Sequence, residues 1–206
     1  MTEAGSDFVQ SMQAKRLSAH FTAADLCCAG ETWQRVRIWN EPQQKETWAA
    51  LEQLCETILE PVVARFGMPR LTYGFASSEL FRHISSGTKA ALGGTKEAVG
   101  GTTAALDQHA ACELRRSGKL ICPRMGAAVD FAVPSVSSLE IAHWVAFSLP
   151  FDRMYVYGPD RPFHVSVGPE NTKGLVQMIE WAPGRLRPQN RKLAWLDEVR
   201  DAKSLA

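Results

Sequence analysis

Long apolar runs are absent from this 206-residue sequence, since no stretch approaches the roughly 18 residues that a membrane-spanning helix needs. An excess of one charge is also absent, because 23 basic and 22 acidic side chains leave a net charge of +1. Such a balance provides no overall field for binding nucleic acid or a membrane surface. The first residues lack the basic-then-apolar layout of a secretory signal. We therefore expect a cytoplasmic protein with no nucleic-acid or membrane partner.

Cysteine is scarce and is not arranged for crosslinks or for a structural metal. The five cysteines are an odd number, and none belongs to a C-x-x-C pair. In a chain without a secretory signal, this pattern predicts reduced thiols and argues against a disulfide framework or a zinc ribbon. Histidine is equally scarce, with five in the chain. Each histidine can therefore be considered individually as a metal ligand.

The order of the hydrophobic patterns predicts an α+β fold. Apolar residues recur at a helical period over residues 45–66, where Pro61 should kink the helix. Ser137 and Glu140 have the spacing of a capping box, which predicts a helix running to about Leu149. Strand-like segments rich in β-formers lie at 71–76, 127–133, 153–157, 163–167 and 175–181. We therefore expect N-terminal helices packed on a small antiparallel sheet.

Three segments are predicted to lie outside the packed core. Residues 1–19 are polar and predict a flexible N-terminal segment, while residues 183–206 predict a basic C-terminal extension with a short helix near 192–203. Residues 85–103 contain three glycine-centred pieces, including the similar units TKAALGG and TKEAVGG. Two units of this length cannot bury a core, so the segment predicts a mobile surface loop and not a solenoid.

Three residues have the chemistry of a catalytic zinc site. His109 follows the glycine-rich stretch, Asp130 interrupts an apolar strand, and His164 alternates with apolar residues in another strand. A buried carboxylate is costly unless it is paired or bound to a metal. Two neutral imidazoles and one carboxylate suit a tetrahedral zinc ion whose fourth position is open to water. The residues alone leave a second interpretation open, in which they are satisfied core or surface groups.

Six short motifs follow one another along the chain. They are the segment His20–Cys28, the helical stretch 51–67, the strand and turn Leu71–Ser77, the pair Gln108-His109, and the segments Gly126–Asp130 and Phe163–Ser166. In this order they resemble motifs of the D-alanyl-D-alanine carboxypeptidase-like zinc peptidases (peptidase M15 family), including its SGYRS, SQH, GxAxD and VHVS sequences. The resemblance covers residues 20–182, which we expect to form one hydrolase domain. It implies a zinc ion held by His109, Asp130 and His164.

The chain departs from this family at three places. Twenty residues separate the first histidine ligand from the aspartate, where the family has a short connection, so residues 110–125 are expected to form an excursion at the pocket mouth. Ala76 stands where the family has the arginine of SGYRS. The family supplies a carboxylate shortly before the last histidine, and Asp160, four residues before His164, is the candidate for this general base. The alternative for Asp160 is a turn residue between two prolines.

The resemblance implies a zinc-dependent metallohydrolase that cleaves peptide bonds of cell-wall peptides through a metal-activated water. Its partner would be a small peptide or a peptidoglycan fragment. We expect Arg82, His83 and Arg161 to contact the substrate, with one of the arginines replacing the one that is missing. The alternative is a zinc-binding module of the same fold that has lost peptidase activity or acts on a different substrate. Ala76 and Arg161 favour that alternative, because both stand where the family has functional side chains.

Overall fold

Most helices lie in the first half of the chain and most strands in the second half. The computed structural model describes residues 3–91 and 108–204. Within them the α-helices are α1 (Glu3–Ala14), α2 (Ala23–Cys27), α3 (Glu31–Val36), α4 (Lys45–Leu54), α5 (Glu60–Phe66), α6 (Ser78–Ala91), α7 (Ser138–Ser148) and α8 (Trp195–Ser204). A π-helical turn at Cys55–Leu59 joins α4 to α5, and a 3₁₀ turn covers Gln108–Ala110. None of these helices combines the length and hydropathy needed to cross a membrane.

Six strands form one sheet. They are β1 (Arg70–Tyr73), β2 (Ala127–Ala132), β3 (Arg153–Val156), β4 (Phe163–Val167), β5 (Gly174–Ala182) and β6 (Arg185–Arg191). Their order is β1-β2-β4-β3-β5-β6, and every neighbouring pair is antiparallel except β3 and β5. The loop after β4 passes the end of β3 and places β5 on the other edge of β3, which makes that pair parallel. The expected α+β class is confirmed, with this one departure from an antiparallel sheet.

The two faces of the central strands have different chemistry. α4 packs against β2 and β4, and α7 packs against β3. Side chains alternate between the faces of a strand, so Phe163, Val165 and Val167 of β4 join the hydrophobic core. His164 and Ser166, which alternate with them, therefore point to the opposite face. Alternation in the sequence thus decides which face of the sheet can carry a polar site.

Two predicted helices are present with altered detail. Residues 45–66 form α4, the π turn and α5 in succession, and the Glu60 N–H donates to the Cys55 carbonyl across the π turn. Pro61 lies in the first turn of α5, directly after the π turn, and having no N–H it cannot donate to a carbonyl of that turn. α7 begins after Ser137, as expected, but the Ser137 side chain makes no capping hydrogen bond. The spacing therefore located the helix start without forming a capping box.

The N-terminal residues differ from the flexible segment predicted for 1–19. α1 places Phe8 and Met12 on one face, four residues apart, and both side chains are buried. The Phe8 ring lies 6.2 Å from the Trp33 ring and 4.7 Å from the Trp39 ring, measured between centroids. Burial of these apolar side chains holds α1 against the rest of the fold.

The basic C-terminal residues also pack onto the fold. β6 pairs with β5 as the outer strand of the sheet. α8, which corresponds to the short helix predicted near 192–203, buries Leu196 fully. Asp197 lies 2.8 Å from the Nε2 atom of His143 on α7, measured from its Oδ1. The predicted extension thus contributes an edge strand and a docked helix.

The glycine-rich segment only partly matches its prediction as a loop. α6 continues to Ala91, so residues 85–91 are helical. The loop prediction is wrong for those residues, because the helix begun at Ser78 runs through them. The rest of the predicted loop, residues 92–103, lies outside the described residues.

The insertion after His109 forms a hairpin with an exposed tip. The Ile121 N–H donates to the Glu113 carbonyl at 2.8 Å, and Leu114 pairs with Leu120. Residues 114–119 are exposed, whereas Glu113 and Ile121 at the hairpin base are buried. The excursion expected for residues 110–125 is therefore free at its tip and packed at its base.

Glu113 attaches the base of this hairpin to the start of α4. Its Oε1 atom accepts hydrogen bonds from the backbone N–H groups of Gln43 and Gln44, at 2.9 and 3.1 Å. The Thr47 hydroxyl donates to the same oxygen at 2.8 Å. A carboxylate at a helix N-terminus is favoured by the unpaired N–H groups and by the helix dipole.

Replacing Glu113 by alanine should lower the free energy of unfolding by about 2–3 kcal/mol, since three hydrogen bonds to a buried carboxylate are lost. Urea unfolding of the purified protein would measure the change. Glu46→Ala is the matched control, because Glu46 is an exposed carboxylate in the first turn of α4. Its loss should stay within about 0.5 kcal/mol. Equal losses in the two variants would contradict the capping role of Glu113.

Candidate metal centre

A row of polar and aromatic side chains crosses four neighbouring strands at one level of the sheet. The register pairs Tyr73 of β1 with Asp130 of β2, Asp130 with His164 of β4, and His164 with Tyr155 of β3. Directly paired residues in a sheet project on the same face. Asp130 and His164 therefore lie side by side, with a tyrosine on each outer side of the pair.

His109 reaches this row from the 3₁₀ turn. Its carbonyl accepts a hydrogen bond from the Ala76 N–H at 2.9 Å, which joins the turn to the segment after β1. That segment is fixed by the buried side chain of Asn40, which donates to the Phe75 carbonyl and accepts from the Ser77 N–H. The turn thus rests on a chain segment that is itself held by hydrogen bonds.

The three predicted metal ligands converge. The His109 Nε2 atom lies 3.0 Å from the His164 Nδ1 atom and 3.2 Å from the Asp130 Oδ1 atom. The His164 Nδ1 and Asp130 Oδ1 atoms are 2.9 Å apart. The hairpin at 113–121 returns the chain to β2, so the separation of twenty residues in the sequence does not keep His109 from Asp130.

The hydrogen bond at the far side of the His109 ring fixes its protonation. Its Nδ1 atom lies 2.9 Å from the carbonyl oxygen of Gly74. A carbonyl only accepts hydrogen bonds, so Nδ1 carries the proton. In the neutral imidazole the Nε2 atom then presents a lone pair to Asp130 and His164. Such a backbone partner is typical of a metal-binding histidine, because it sets the tautomer and the ring orientation.

Gly74 is required for this contact because the chain passes very close to α2. A Cβ atom at position 74 would lie 2.2 Å from the carbonyl oxygen of Leu26. A side chain there would push the segment away from α2 and move the carbonyl that orients His109. The glycine of the strand-and-turn motif therefore contributes to the site through its close packing.

The donor set fits a zinc ion. Three possible ligand atoms lie within 3.2 Å of one another. A hydrogen bond from a protonated ring nitrogen, or a metal ion bound between them, can offset the repulsion of their lone pairs. Tetrahedral zinc with nitrogen and oxygen ligands at about 2.0–2.1 Å separates its ligand atoms by about 3.3–3.4 Å, close to the distances found here.

The electrostatics of Asp130 follow from its two neighbours. Burial opposes ionisation of this carboxyl, but when His109 and His164 are protonated their charges and hydrogen bonds outweigh that effect and hold its pKa well below the usual value. The Asp130 side chain is 24% exposed, whereas both histidines are buried. The centre therefore opens towards solvent on the Asp130 side.

Two tyrosines contact the histidine ligands and were missed by sequence reasoning. The Tyr73 ring lies 4.2 Å from the His109 ring, and the Tyr155 ring meets the His164 ring edge-on at 4.9 Å, measured between centroids. Tyr155 alternates with buried Met154 and Val156 on β3. That alternation was the available signal, because it places Tyr155 on the polar face of the sheet.

Asp160 and Arg161 lie in the exposed turn between β3 and β4. The Pro159 carbonyl accepts a hydrogen bond from the Ser138 N–H at 2.7 Å, which attaches this turn to the start of α7. The Arg161 guanidinium lies 5.6 Å from the centre of the Tyr157 ring. Among the described residues, Asp160 makes no hydrogen bond or ion pair with the three ligand residues.

Arg82 and His83 are exposed on α6. The Arg82 Nε atom lies 3.4 Å from the Ser78 carbonyl of the same helix. Within the described residues, neither side chain contacts the His109–Asp130–His164 group. Their predicted contacts with substrate therefore remain predictions.

The carboxylates of Asp152 and Glu113 are engaged in hydrogen bonds within the fold. Asp152 is buried, and its Oδ1 atom accepts from the Thr172 N–H at 3.0 Å. Glu113 is engaged at the start of α4. Neither is available as a proton acceptor, so Asp160 stays the candidate base.

Comparison of the chain with protein-family models, curated proteins and solved structures found no match. Membership of the zinc peptidase family therefore remains a prediction from the motifs.

Proposed function

We propose that the protein is a zinc-dependent hydrolase of peptide bonds, with His109, Asp130 and His164 as the metal ligands. The observation that carries the proposal is the convergence of His109 Nε2, Asp130 Oδ1 and His164 Nδ1 within 3.2 Å. The carbonyl of Gly74 supports it, because this group keeps the Nε2 lone pair of His109 directed at the centre. Three protein ligands with an open side match the composition of catalytic zinc sites, whereas structural sites are closed by four.

The metal and the protein would have separate tasks in this reaction. When bound, zinc supplies Lewis-acid activation of a water molecule and of the scissile carbonyl. The histidines and Asp130 hold the ion, and a further side chain must accept the proton of the attacking water. Asp160 is proposed for that step, since it lies in the turn that leads into β4 and His164.

The substrate class is proposed from the motifs. Peptidases with these motifs act on cell-wall peptides that contain D-amino acids, so a small peptide or a peptidoglycan fragment is the proposed substrate. Arg161 and, on α6, Arg82 and His83 are the proposed contacts with it. Arg161 is the most suitably placed of the three, because its turn is adjacent in sequence to β4.

Two measurements on the purified protein test the proposal. Elemental analysis should give one zinc ion per chain after loading with zinc and removal of the excess. Incubation with peptidoglycan fragments and with peptides ending in D-alanyl-D-alanine should release new amino groups, and removal of the metal with a chelator should stop the release. Absence of bound zinc would contradict the metal site, and zinc without turnover would contradict the peptidase activity.

A zinc-binding module without peptidase activity is the second candidate. It is favoured by one observation, the residue at position 76. Ala76, in place of the family's arginine, is buried beside the turn that carries His109. Stoichiometric zinc binding together with failure to hydrolyse any peptide of a diverse library would select this candidate.

A further inference from the structure

The side chain of Gln108, the residue before His109, makes several hydrogen bonds near the centre. Gln108 is fully buried. Its Nε2 group donates to the Asp152 carboxylate at 2.8 Å, to the Met125 carbonyl at 2.9 Å and to the Val167 carbonyl at 3.2 Å. Its Oε1 atom accepts from the Ser166 hydroxyl at 2.7 Å. One amide thus joins the 3₁₀ turn to β4, to the loop before β2 and to the residue before β3.

Ser166 links this amide to the strand that carries His164. It lies two residues after His164 and therefore projects on the same face of β4. Its hydroxyl accepts a hydrogen bond from the Arg153 N–H at 3.0 Å while donating to Gln108. The position of the amide is thereby defined relative to both β3 and β4.

Asp152 fixes the other end of the amide. The hydroxyl and backbone N–H of Thr172 donate to its Oδ1 atom at 2.7 and 3.0 Å. Burial opposes ionisation of Asp152, but these hydrogen bonds from Thr172, the one from Gln108 and the nearby Arg124 lower its pKa. A charged acceptor makes a stronger hydrogen bond to the amide than a neutral one.

Gly168 leaves room for this arrangement. A Cβ atom at position 168 would lie 2.9 Å from the Gln108 Nε2 atom. Together Gln108, Ser166 and Asp152 form what we call the amide network. All three side chains are buried, and each has its hydrogen bonds made within the fold. Buried polar groups joined in this way hold one arrangement of the chain, because breaking any link leaves a buried group unsatisfied.

The three ligands differ in how firmly their backbones are held. Asp130 and His164 lie in central strands and are fixed by the pairing of β2 with β4. His109 lies in a turn of three residues, Gln108–Ala110, which has no strand partner. Among the described residues, the hydrogen bonds at Gly74 and Ala76 and those of the amide network attach this turn to the sheet.

We propose that the amide network positions His109 at the metal centre and thereby sets the zinc affinity of the protein. Gln108, Ser166 and Asp152 are positioning residues in this proposal, since they act through His109 and do not touch the ion. The inference rests on the proposed function only in requiring that the centre binds zinc. It does not depend on the reaction or the substrate.

The test compares zinc affinity in two network variants. Gln108→Met keeps the length of the side chain and removes its hydrogen bonds, while Ser166→Ala removes one hydroxyl. Zinc affinity is measured by competition with a chromogenic chelator, and the ligand geometry by the visible absorption of the cobalt-substituted protein. Loss of partners behind a metal-binding histidine typically weakens metal binding by about 10–100-fold, and we expect that range for Gln108→Met. Ser166→Ala should give a smaller loss in the same direction, with a changed cobalt spectrum in both variants.

Leu196→Ala is the matched control for stability. Leu196 is fully buried on α8, on an element that packs against α7, so its truncation lowers stability without touching the network. At a temperature where all variants are folded, Leu196→Ala should bind zinc as tightly as the unchanged protein. If Gln108→Met does not fold, Ser166→Ala decides.

Each outcome has a separate meaning. Weaker zinc binding in the network variants, with normal binding in the control, supports the positioning role. Unchanged zinc affinity and cobalt spectra in the network variants, or an equal loss in Leu196→Ala, would overturn it while leaving the metal site intact. Failure of the unchanged protein to bind zinc would instead refute the proposed metal site, and the positioning role with it.

Discussion

Replacing His164 by alanine is expected to lower zinc affinity by at least about 10²–10³-fold. Structural zinc sites with four ligands bind with roughly 10–16 kcal/mol, so one ligand accounts for about 3–4 kcal/mol. The loss should be at least this large here, because the described residues offer three protein ligands and two remain after the change. The two that remain are His109 Nε2 and Asp130 Oδ1, which lie 3.2 Å apart. Elemental analysis and chelator competition on the folded variant would measure the effect.

His20→Ala is the matched control for this change. The His20 Nδ1 atom lies 2.6 Å from a Glu60 carboxylate oxygen, and the ring is largely exposed. This variant removes an imidazole of the same chemistry at a place unrelated to the centre, so zinc content should stay at one ion per chain. Full zinc occupancy in His164→Ala would rule out the ligand assignment, and zinc loss in both variants would point to a general effect of histidine removal.

The strands were predicted well from the sequence, because the pattern of apolar and polar residues within one strand shows which of its side chains are buried. The five residues predicted as a strand at 163–167 are β4, and the alternation of His164 and Ser166 with apolar residues gives the face on which they lie. Asp130 was identified within β2 as the charged residue of an otherwise apolar strand. Motif order then suggested that these residues meet His109. It could not give the distances, because those depend on the register of β2 with β4 and on the path of the insertion.

The parts that were missed depend on contacts between distant residues or on weak patterns. Glu113 holds the start of α4 across a separation of 66 residues from Thr47, and no local pattern records such a contact. β6 was not predicted because most of its residues are polar and exposed, as an outer strand allows. Residues 1–19 were predicted to be flexible because most of them are polar, although Phe8 and Met12 of α1 are buried. Gly74 belongs to the strand-and-turn motif, but the role of its carbonyl in orienting His109 follows only from the fold.

Replacing Asp160 by asparagine is expected to leave zinc bound and to lower turnover by about 10²-fold or more, if the protein is a peptidase. The change keeps the shape of the side chain and removes its ability to accept a proton. Zinc content should be unaffected, since Asp160 makes no contact with the three ligand residues among those the structure describes. The loss should fall on kcat and leave KM nearly unchanged, because a general base acts in the transition state and not in substrate binding.

Glu170→Gln is the control for this prediction, since Glu170 is an exposed carboxylate in the loop that follows β4 at its other end. Its turnover should equal that of the unchanged protein. The turn that carries Asp160 is exposed and is attached through Pro159 to α7. For Asp160 to act as the base, its carboxylate must therefore move towards the centre when substrate binds. Unchanged turnover in Asp160→Asn would exclude it as the base.

Asp152 and Glu113 could not then replace Asp160 as the base without breaking the hydrogen bonds that hold Gln108 and the start of α4. In that case the tyrosines beside the ligands, Tyr73 and Tyr155, would be the groups to change next, because their rings already contact His109 and His164.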